Sequence, residues 1–447
     1  MGPSLRSQAS PPLAISVRVP APLRRGRLLV AGRRLDSRGA VPQNLTVTSR
    51  NEPAADLVAP PRRRGRRLLR ALACLSLVFA AAGLLALASG WRAFGKRPSG
   101  ARKARMERSP NWRHGRFENA EPMRSDYFRA ALDVVNKSAF TSPDVPVAVE
   151  TVAATRFAGK PATSLRVTWF GHSSFLVEIE DHRVLVDPHF GPRASPMTWS
   201  GPKRWYGPLI ALGDLPPPDA VLISHDHYDH LDYPTIVAMK DWPTTFVVPL
   251  GVGSHLEYWG VPAGRIVELD WWERATVRGL ELVATPARHI SGRTFGIGDA
   301  GTLWAGFAIL GRQRRVFYSG DTGLFAGLKE IGDKLGPFDV TLLDAGEYGR
   351  YWSDWHLGPE QAVRAHLLVR GNVLIPGHWG LFALAYHAWP EPADRVLAAA
   401  AAGGVTAAVP RPGQSIEPLA LPPLPRWWPA LPGKTAREDP IVSSHTE

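Results

Sequence analysis

A dense run of metal-binding side chains, from His225 to His230, constrains this chain more than any other feature. Five of its six side chains can bind a metal ion or handle a proton, and imidazole and carboxylate are ligands that zinc and iron prefer. The run follows a short apolar segment, 219–224, which predicts a buried strand that ends in a polar loop. In such a loop His225 and His227 can share one ion, while Asp229 and His230 turn toward a second.

Three further candidate ligands follow apolar or β-rich segments later in the chain. They are His289 after 280–288, Asp321 after 315–320 and His378 after 372–377. Polar residues at the carboxyl ends of strands are the usual way in which an α/β scaffold assembles a site on one edge of a sheet. The sequence therefore predicts that these side chains meet the 225–230 loop.

Seven segments carry a resemblance to one family, and they occur in the expected order over roughly half of the chain. They are 168–174, 186–188, 201–204, 225–230, 285–289, 319–323 and 377–380. Together they resemble the metallo-β-lactamase superfamily of binuclear hydrolases. The 225–230 segment indicates the superfamily. The 201–204 segment and the surroundings of Asp321 and His378 favour the branch that contains N-acyl-phosphatidylethanolamine phospholipase D.

This resemblance implies an α/β fold, the αββα sandwich of the metallo-β-lactamases, and two divalent metal ions, with zinc expected. The implied ligands of the first ion are His225, His227 and His289. Those of the second ion are Asp229, His230 and His378, and Asp321 bridges the two.

The implied chemistry is hydrolysis of a phosphodiester by a hydroxide that two metal ions share. Asp229 and Asp321 carry catalytic roles as ligands, and His356 is the candidate acid that protonates the leaving group, with His172 and His387 as alternatives. Hydrolysis on the head-group side of phosphorus would release phosphatidic acid and, for the relatives that the chain resembles, an N-acylethanolamine.

The substrate is expected to be a phospholipid or another small molecule. Candidate substrate-binding residues, several of which would line an apolar channel for acyl chains, are His172, Trp205, Tyr206, Phe382 and Tyr386. Asp344 and Glu347 depart from the pattern of the phospholipase-like relatives, where this stretch is usually apolar. They are expected either to support a ligand histidine or to disfavour an anionic phosphate.

Two other functions stay open. A hydrolase of small esters or lactones would use the same fold and metal ligands. A membrane-tethered binding protein with a vestigial site is the non-enzymatic alternative, and the complete ligand set disfavours it.

Composition argues against two classes of protein: a nuclease of this superfamily and a β-lactam-hydrolysing enzyme with a cysteine ligand. Residues 1–70 carry a net charge of +12 and residues 92–116 a net charge of +8, which leaves −7 for the rest of the chain. The catalytic part is therefore acidic, which argues against a nucleic acid partner. Cys74 is the only cysteine, so the chain can form no internal disulfide and offers no thiolate ligand near the motifs.

An uncharged segment, 71–91, lies between the two basic regions. Its length predicts a single transmembrane helix and a membrane-associated protein, although a secretory signal or a buried core helix would also fit. Basic residues flank the segment equally, so the side of the membrane that holds the catalytic domain stays open.

The predicted organisation has five parts. They are a basic disordered tail (1–67), a transmembrane helix or signal anchor (68–91), a basic linker (92–116), the hydrolase domain (117–415) and a Pro-rich tail (416–447).

Overall fold

The computed structural model describes residues 63–293 and 300–444. Its helices are α1 (Arg63–Gly90), α2 (Gly100–Met106), α3 (Tyr127–Leu132), α4 (Tyr233–Met239), α5 (Gly253–Tyr258), α6 (Gly327–Leu335), α7 (Pro359–Leu368) and α8 (Glu391–Gly403). Its strands are β1 (Trp112–Arg113), β2 (Arg116–Phe117), β3 (Leu165–Gly171), β4 (Ser174–Ile179), β5 (His182–Val186), β6 (Ala220–Leu222), β7 (Thr245–Pro249), β8 (Ile266–Leu269), β9 (Arg274–Val277), β10 (Leu280–Thr285), β11 (Gly306–Leu310), β12 (Arg315–Tyr318), β13 (Phe338–Asp344), β14 (Gly371–Gly377), β15 (Thr406–Ala407) and β16 (Ser415–Ile416).

Two seven-stranded sheets form the centre of the fold. One has the order β16-β3-β4-β5-β6-β7-β8 and the other the order β15-β14-β13-β12-β11-β10-β9. Apolar side chains from both sheets, such as Val177 and Ile309, share one buried cluster, so the sheets pack face to face. Helices α4 and α5 cover the outer face of the first sheet, and α6, α7 and α8 that of the second. The predicted αββα sandwich is confirmed.

The order of the strands brings the carboxyl ends of several of them to one edge. In the first sheet β5, β6, β7 and β8 are parallel neighbours, connected through α4 and α5. In the second, β12, β13 and β14 are parallel. Strand β10 runs in the same direction as β12 because each is antiparallel to β11. The loops after β6, β10, β12 and β14, which carry the predicted ligands, therefore lie at corresponding ends of their sheets.

The predicted transmembrane helix over 68–91 is wrong. Among residues 63–293 and 300–444, no helix combines the length and the apolar character that crossing a membrane requires. Five of the first eight residues of α1 are arginines, and eleven of its last twenty are small Ala, Gly or Ser residues, which contribute little apolar surface. The predicted membrane localisation depended on this transmembrane helix and is therefore wrong as well.

The segment predicted as a basic linker packs against the domain instead of running free. Ala93 and Met106 are buried, and Arg102 forms ion pairs with Glu257 and Glu268. The guanidinium of Arg293 donates hydrogen bonds of 2.8 and 3.0 Å to the backbone oxygen of Ala93. Arg102 and Arg105 therefore meet acidic partners on the domain.

The segment predicted as a Pro-rich tail also packs closely. Trp428 is buried and Trp427 stacks on Trp379, with ring centroids 5.5 Å apart. The hydroxyls of Ser443 and Ser444 donate to the carboxylate of Asp354. The predicted tail of residues 1–62 lies outside the described residues, and the five domain boundaries stay predictions.

Candidate metal centre

The seven predicted ligands lie together at the edge defined by the strand ends. Four of them occupy the loop after β6, and the others follow β10, β12 and β14. Their ligand atoms fall into groups in which all atoms lie within 4.8 Å of one another. The structure therefore brings together side chains that are up to 153 positions apart in the chain, from His225 to His378.

The first group consists of His225, His227, His289 and Asp321. Nδ1 of His227 lies 2.9 Å from Nε2 of His225 and 3.3 Å from Nε2 of His289. Oδ2 of Asp321 is 3.6 Å from Nε2 of both His225 and His289. Ligand atoms about 2.0–2.1 Å from a tetrahedral zinc ion are separated by roughly 3.3 Å. The spacing of this group therefore suits one tetrahedral ion.

The second group combines Asp229, His230 and His378 with His172. Nε2 of His230 lies 3.3 Å from Oδ2 of Asp229 and 3.1 Å from Oδ2 of Asp321. Oδ1 of Asp321 is 3.1 Å from Nδ1 of His378. Asp321 thus lies between the two groups, with ligand-spaced contacts to both.

Asp187, which follows β5, fixes the orientation of His230. Nδ1 of His230 donates a 2.7 Å hydrogen bond to Oδ2 of Asp187, which leaves Nε2 for the second group. The same carboxylate accepts hydrogen bonds from the backbone N–H and the hydroxyl of Ser224 and from the hydroxyl of Tyr318. Such a carboxylate–histidine pair sets the ring tautomer and makes the ligand nitrogen more basic. Sequence reasoning gave Asp187 no role.

Histidines of the first group are oriented in the same way. Nδ1 of His225 hydrogen-bonds the hydroxyl of Ser224 at 2.9 Å, and Nδ1 of His289 donates to the backbone oxygen of Trp355 at 3.0 Å. In both rings Nε2 is left as the nitrogen with a free lone pair, and both Nε2 atoms face His227. These two hydrogen bonds therefore orient both rings so that Nε2 can bind a metal ion.

Burial and charge set the protonation of the centre. Burial lowers the pKa of His225, His289 and His378 well below the ordinary histidine value, so these rings are neutral, as a ligand must be. Burial also opposes protonation of His230, but the carboxylates of Asp321 and Asp229 outweigh it and raise its pKa well above 6.5. The acidic side chains of the centre thus favour a positive charge within it.

Three residues of the centre have backbone conformations that L-residues rarely adopt. The φ angles of His172, Asp187 and His378 are +51°, +37° and +62°. Left-handed conformations of this kind cost about 1–3 kcal/mol each and cluster at functional sites. The fold therefore holds these side chains in place at the expense of backbone strain.

His356, the candidate general acid, lies beside the centre. Its Nδ1 is 2.9 Å from Oδ2 of Asp344, and its ring stacks on that of His378 with centroids 4.7 Å apart. Burial raises the pKa of Asp344 well above the usual aspartate value and lowers that of His356. Asp344 thus supports the candidate acid His356, which is not one of the predicted ligand histidines.

A cavity of about 370 Å³ opens onto the centre. Besides the ligands and His356, it is lined by side chains that include Tyr351, Trp352, Trp355, Leu384, Tyr386 and Glu347. Tyr386 is the predicted substrate-binding residue that lines it. The other aromatic residues were not singled out as substrate-binding, and only their closeness to His356 in the sequence points to them.

The remaining predicted substrate-binding residues lie elsewhere. Phe382 is fully buried and packs edge to face against His172 at 5.3 Å. Trp205 packs against Trp389, and the hydroxyl of Tyr206 donates to a backbone oxygen of β3. His172 is also fully buried, and its Nε2 lies 2.8 Å from Oδ2 of Asp229, so it contacts a predicted ligand and does not line the cavity.

Comparison with known proteins agrees with this architecture. A family model described as "Beta-lactamase superfamily domain" matches residues 182–379. An uncharacterized protein of Mycobacterium tuberculosis is 43% identical over 373 residues, which cover 81% of this chain and 99% of that protein. The N-acyl-phosphatidylethanolamine-hydrolyzing phospholipase D 1 of Caenorhabditis elegans is 35% identical over 248 residues, which cover 52% of this chain and 69% of that protein.

The chain belongs to the metallo-β-lactamase superfamily. It is a metal-dependent hydrolase of this superfamily, and its resemblance to the N-acyl-phosphatidylethanolamine phospholipase D branch is supported. A solved structure, the metallo hydrolase Igni18 of Ignicoccus hospitalis, matches with 26% identity and a TM-score of 0.43, covering 56% of this chain and 97% of that one. The His and Asp groups of this metallo-β-lactamase fold are able to bind metal ions.

Proposed function

We propose that this chain is a phosphodiesterase of phospholipase D type that cleaves N-acyl-phosphatidylethanolamine-like lipids. One observation carries the proposal: the seven predicted ligands converge beside a cavity that five of them line, in a chain of which 248 residues are 35% identical to a phospholipase D of this kind. The spacing of the ligand atoms supports two ion sites that share Asp321.

The donor set fits divalent zinc. The ligands are imidazole nitrogens and carboxylate oxygens, without a thiolate. Nε2 of His230 and Oδ1 of Asp321 are buried and have no hydrogen-bond partner among the described residues. Buried polar atoms rarely stay unpaired, and an ion between the groups would satisfy both. His225, His227 and His289 would hold one ion, and Asp229, His230 and His378 the other.

Bound ions would supply a water molecule of lowered pKa and compensate the charge of a phosphodiester. The protein contributes orientation and proton handling. Oδ2 of Asp321 lies near ligand nitrogens of both groups, and Asp187 keeps the ring of His230 in place. His356 lines the cavity and shares a hydrogen bond with Asp344, so this pair is placed to hold the proton that the leaving alcohol requires.

Cavity size supports a substrate that inserts only in part. A volume of about 370 Å³ lies near the lower end of ordinary ligand pockets and suits a phosphodiester with its adjoining alcohol. The acyl chains would stay outside the cavity.

Mass-spectrometric product analysis tests the proposal. The purified full chain, loaded with zinc, is incubated with N-acyl-phosphatidylethanolamine in mixed micelles and, separately, with a panel of lactones. We expect phosphatidic acid and N-acylethanolamine, and we expect both to disappear with a chelator or in a His227→Ala variant. Opened lactones beside intact lipid would contradict the phospholipase activity and favour the small-ester alternative.

A further inference from the structure

One carboxyl group in the wall of the cavity takes no part in the metal centre. Glu347 lines the cavity but belongs to none of the ligand groups. Among the described residues, no lysine or arginine lines this cavity. Burial raises the pKa of Glu347 well above the ordinary glutamate value, so a hydrogen-bond donor or a cation on the substrate would favour the ionised carboxyl.

The backbone fixes Glu347 in this position. Its side chain is 94% buried, and Oε2 accepts a 2.8 Å hydrogen bond from the backbone N–H of Leu384. Its backbone oxygen accepts a 3.0 Å hydrogen bond from the indole N–H of Trp352. Its φ angle is +52°, a left-handed conformation that is costly for a residue other than glycine. The carboxyl is therefore held where it is by contacts on two sides, against a backbone penalty.

Aromatic side chains surround the same space. Tyr351, Trp352, Trp355 and Tyr386 line the cavity, and Trp352 meets Tyr386 edge to face with ring centroids 5.7 Å apart. Aromatic rings combined with a carboxylate are the usual surroundings of a bound amine or ammonium group. The same lining also contains five predicted metal ligands: His227, Asp229, His289, Asp321 and His378.

These two sets of lining residues suit the two ends of one substrate. A phosphodiester is anionic and belongs at the ions, because their positive charge would attract it. We propose that Glu347 accepts an N–H hydrogen bond from a nitrogen in the alcohol part of the substrate, and that it selects substrates that carry one. This inference depends on the proposed phosphodiesterase function and narrows its substrate class.

Two kinds of nitrogen supply such a donor. A free ethanolamine head group carries an ammonium, which pairs with the charge of Glu347, and an N-acylated head group carries an amide N–H, which needs only an acceptor oxygen. Choline carries a nitrogen without N–H. Glu347→Gln keeps an acceptor oxygen without the charge, whereas Glu347→Ala removes both. The two variants therefore distinguish the amide from the ammonium.

The experiment compares kcat/KM for three substrates in mixed micelles: phosphatidylethanolamine, its N-acylated form and phosphatidylcholine. We expect Glu347→Ala to lower the preference for N–H-bearing substrates over phosphatidylcholine by about tenfold to hundredfold, the usual effect of losing a hydrogen bond to a charged group. If Glu347 recognises the amide, Glu347→Gln should keep the preference for the N-acylated substrate over phosphatidylcholine. If Glu347 recognises the ammonium, Glu347→Gln should lose the preference for phosphatidylethanolamine over phosphatidylcholine. Glu330→Ala, on the exposed face of α6, is the control.

Failure of the inference differs from failure of the function. If wild-type protein cleaves these lipids and both Glu347 variants keep its preferences within twofold, the role of Glu347 is refuted and the phosphodiesterase stands. If no lipid is cleaved, the proposed function fails. Equilibrium binding of glycerophosphoethanolamine, its N-acyl form and glycerophosphocholine to wild-type and variant protein then decides the role of Glu347 without turnover. Equal loss of all three probes in Glu347→Ala would overturn it.

Discussion

Asp187→Asn should weaken the second metal site more than the first. Asp187 accepts the Nδ1–H of His230, whose other nitrogen faces the second ion group, whereas the first group receives its orientation from Ser224 and Trp355. Asparagine keeps the size of the side chain but removes its charge and replaces one acceptor oxygen with a donor. The change therefore acts on the second ion directly through the ring of His230, and on the first ion only indirectly, through Ser224 and His225.

The size of the effect follows from the hydrogen bonds that Asp187 accepts. Four donors converge on its two oxygens, and asparagine leaves at least one of them unsatisfied whichever way its amide points. One buried unsatisfied donor costs about 1–3 kcal/mol of unfolding free energy. Loss of the carboxylate partner of a ligand histidine lowers metal affinity about 10–100-fold, or roughly 1.4–2.7 kcal/mol.

The assay is zinc titration of metal-free protein in competition with a chromogenic chelator. We expect two binding steps in the wild type, of which one weakens at least tenfold in Asp187→Asn while the other weakens clearly less, through the contact of Ser224 with His225. Asp339→Asn, whose partners are Arg314 and Arg315, serves as the control. Equal loss in both steps, or no loss in either, would refute the assigned role of Asp187.

Three other substitutions test other parts of the site and fold. Asp321→Ala should lose the second ion and nearly all turnover, and a variant that keeps full activity would contradict the bridging role. His356→Ala should slow turnover while metal content, measured by mass spectrometry, stays unchanged; loss of metal would make this residue structural. Burial lowers the pKa of His366 from 6.5 to about 4. Between these pH values the unfolded chain binds a proton at this residue and the folded chain does not. The unfolding free energy should therefore decrease by up to about 3 kcal/mol as pH falls from 6.5 to 4. His366→Gln should remove that part of the pH dependence, and an unchanged slope in denaturant titrations would contradict it.

The family resemblance predicted the sandwich, and sequence patterns predicted the convergence of the ligands because the ends of strands carry local signals. Apolar segments ending in polar residues mark strands whose carboxyl ends meet at one edge, and β6, β10, β12 and β14 follow this rule. A spaced set of histidines and aspartates then needs no further information to be recognised as a candidate centre.

Such local patterns do not predict contacts between segments that are distant in the sequence. Closeness to His378 in the sequence suggested that Phe382 would face the substrate, but the chain turns at His378, with a φ of +62°, and Phe382 packs behind the ligands against His172. The hydrogen bond from His230 to Asp187 joins residues 43 positions apart. Packing of Ser443 against Asp354 likewise depends on tertiary structure, and no local signal in a Pro-rich segment indicates it.

The transmembrane prediction failed for a related reason. A stretch without charges indicates a membrane span only through its length and its mean apolar character. In α1 that stretch is rich in small residues and continues directly from an arginine-rich first third.

Hydrolysis of N-acyl-phosphatidylethanolamine in ¹⁸O-labelled water tests the central claim most directly. Attack by water on phosphorus, with both ions in place, predicts one ¹⁸O atom in phosphatidic acid and none in the released N-acylethanolamine. Label in the alcohol, or in a fatty acid released by ester hydrolysis, would contradict a phospholipase D-type phosphodiesterase.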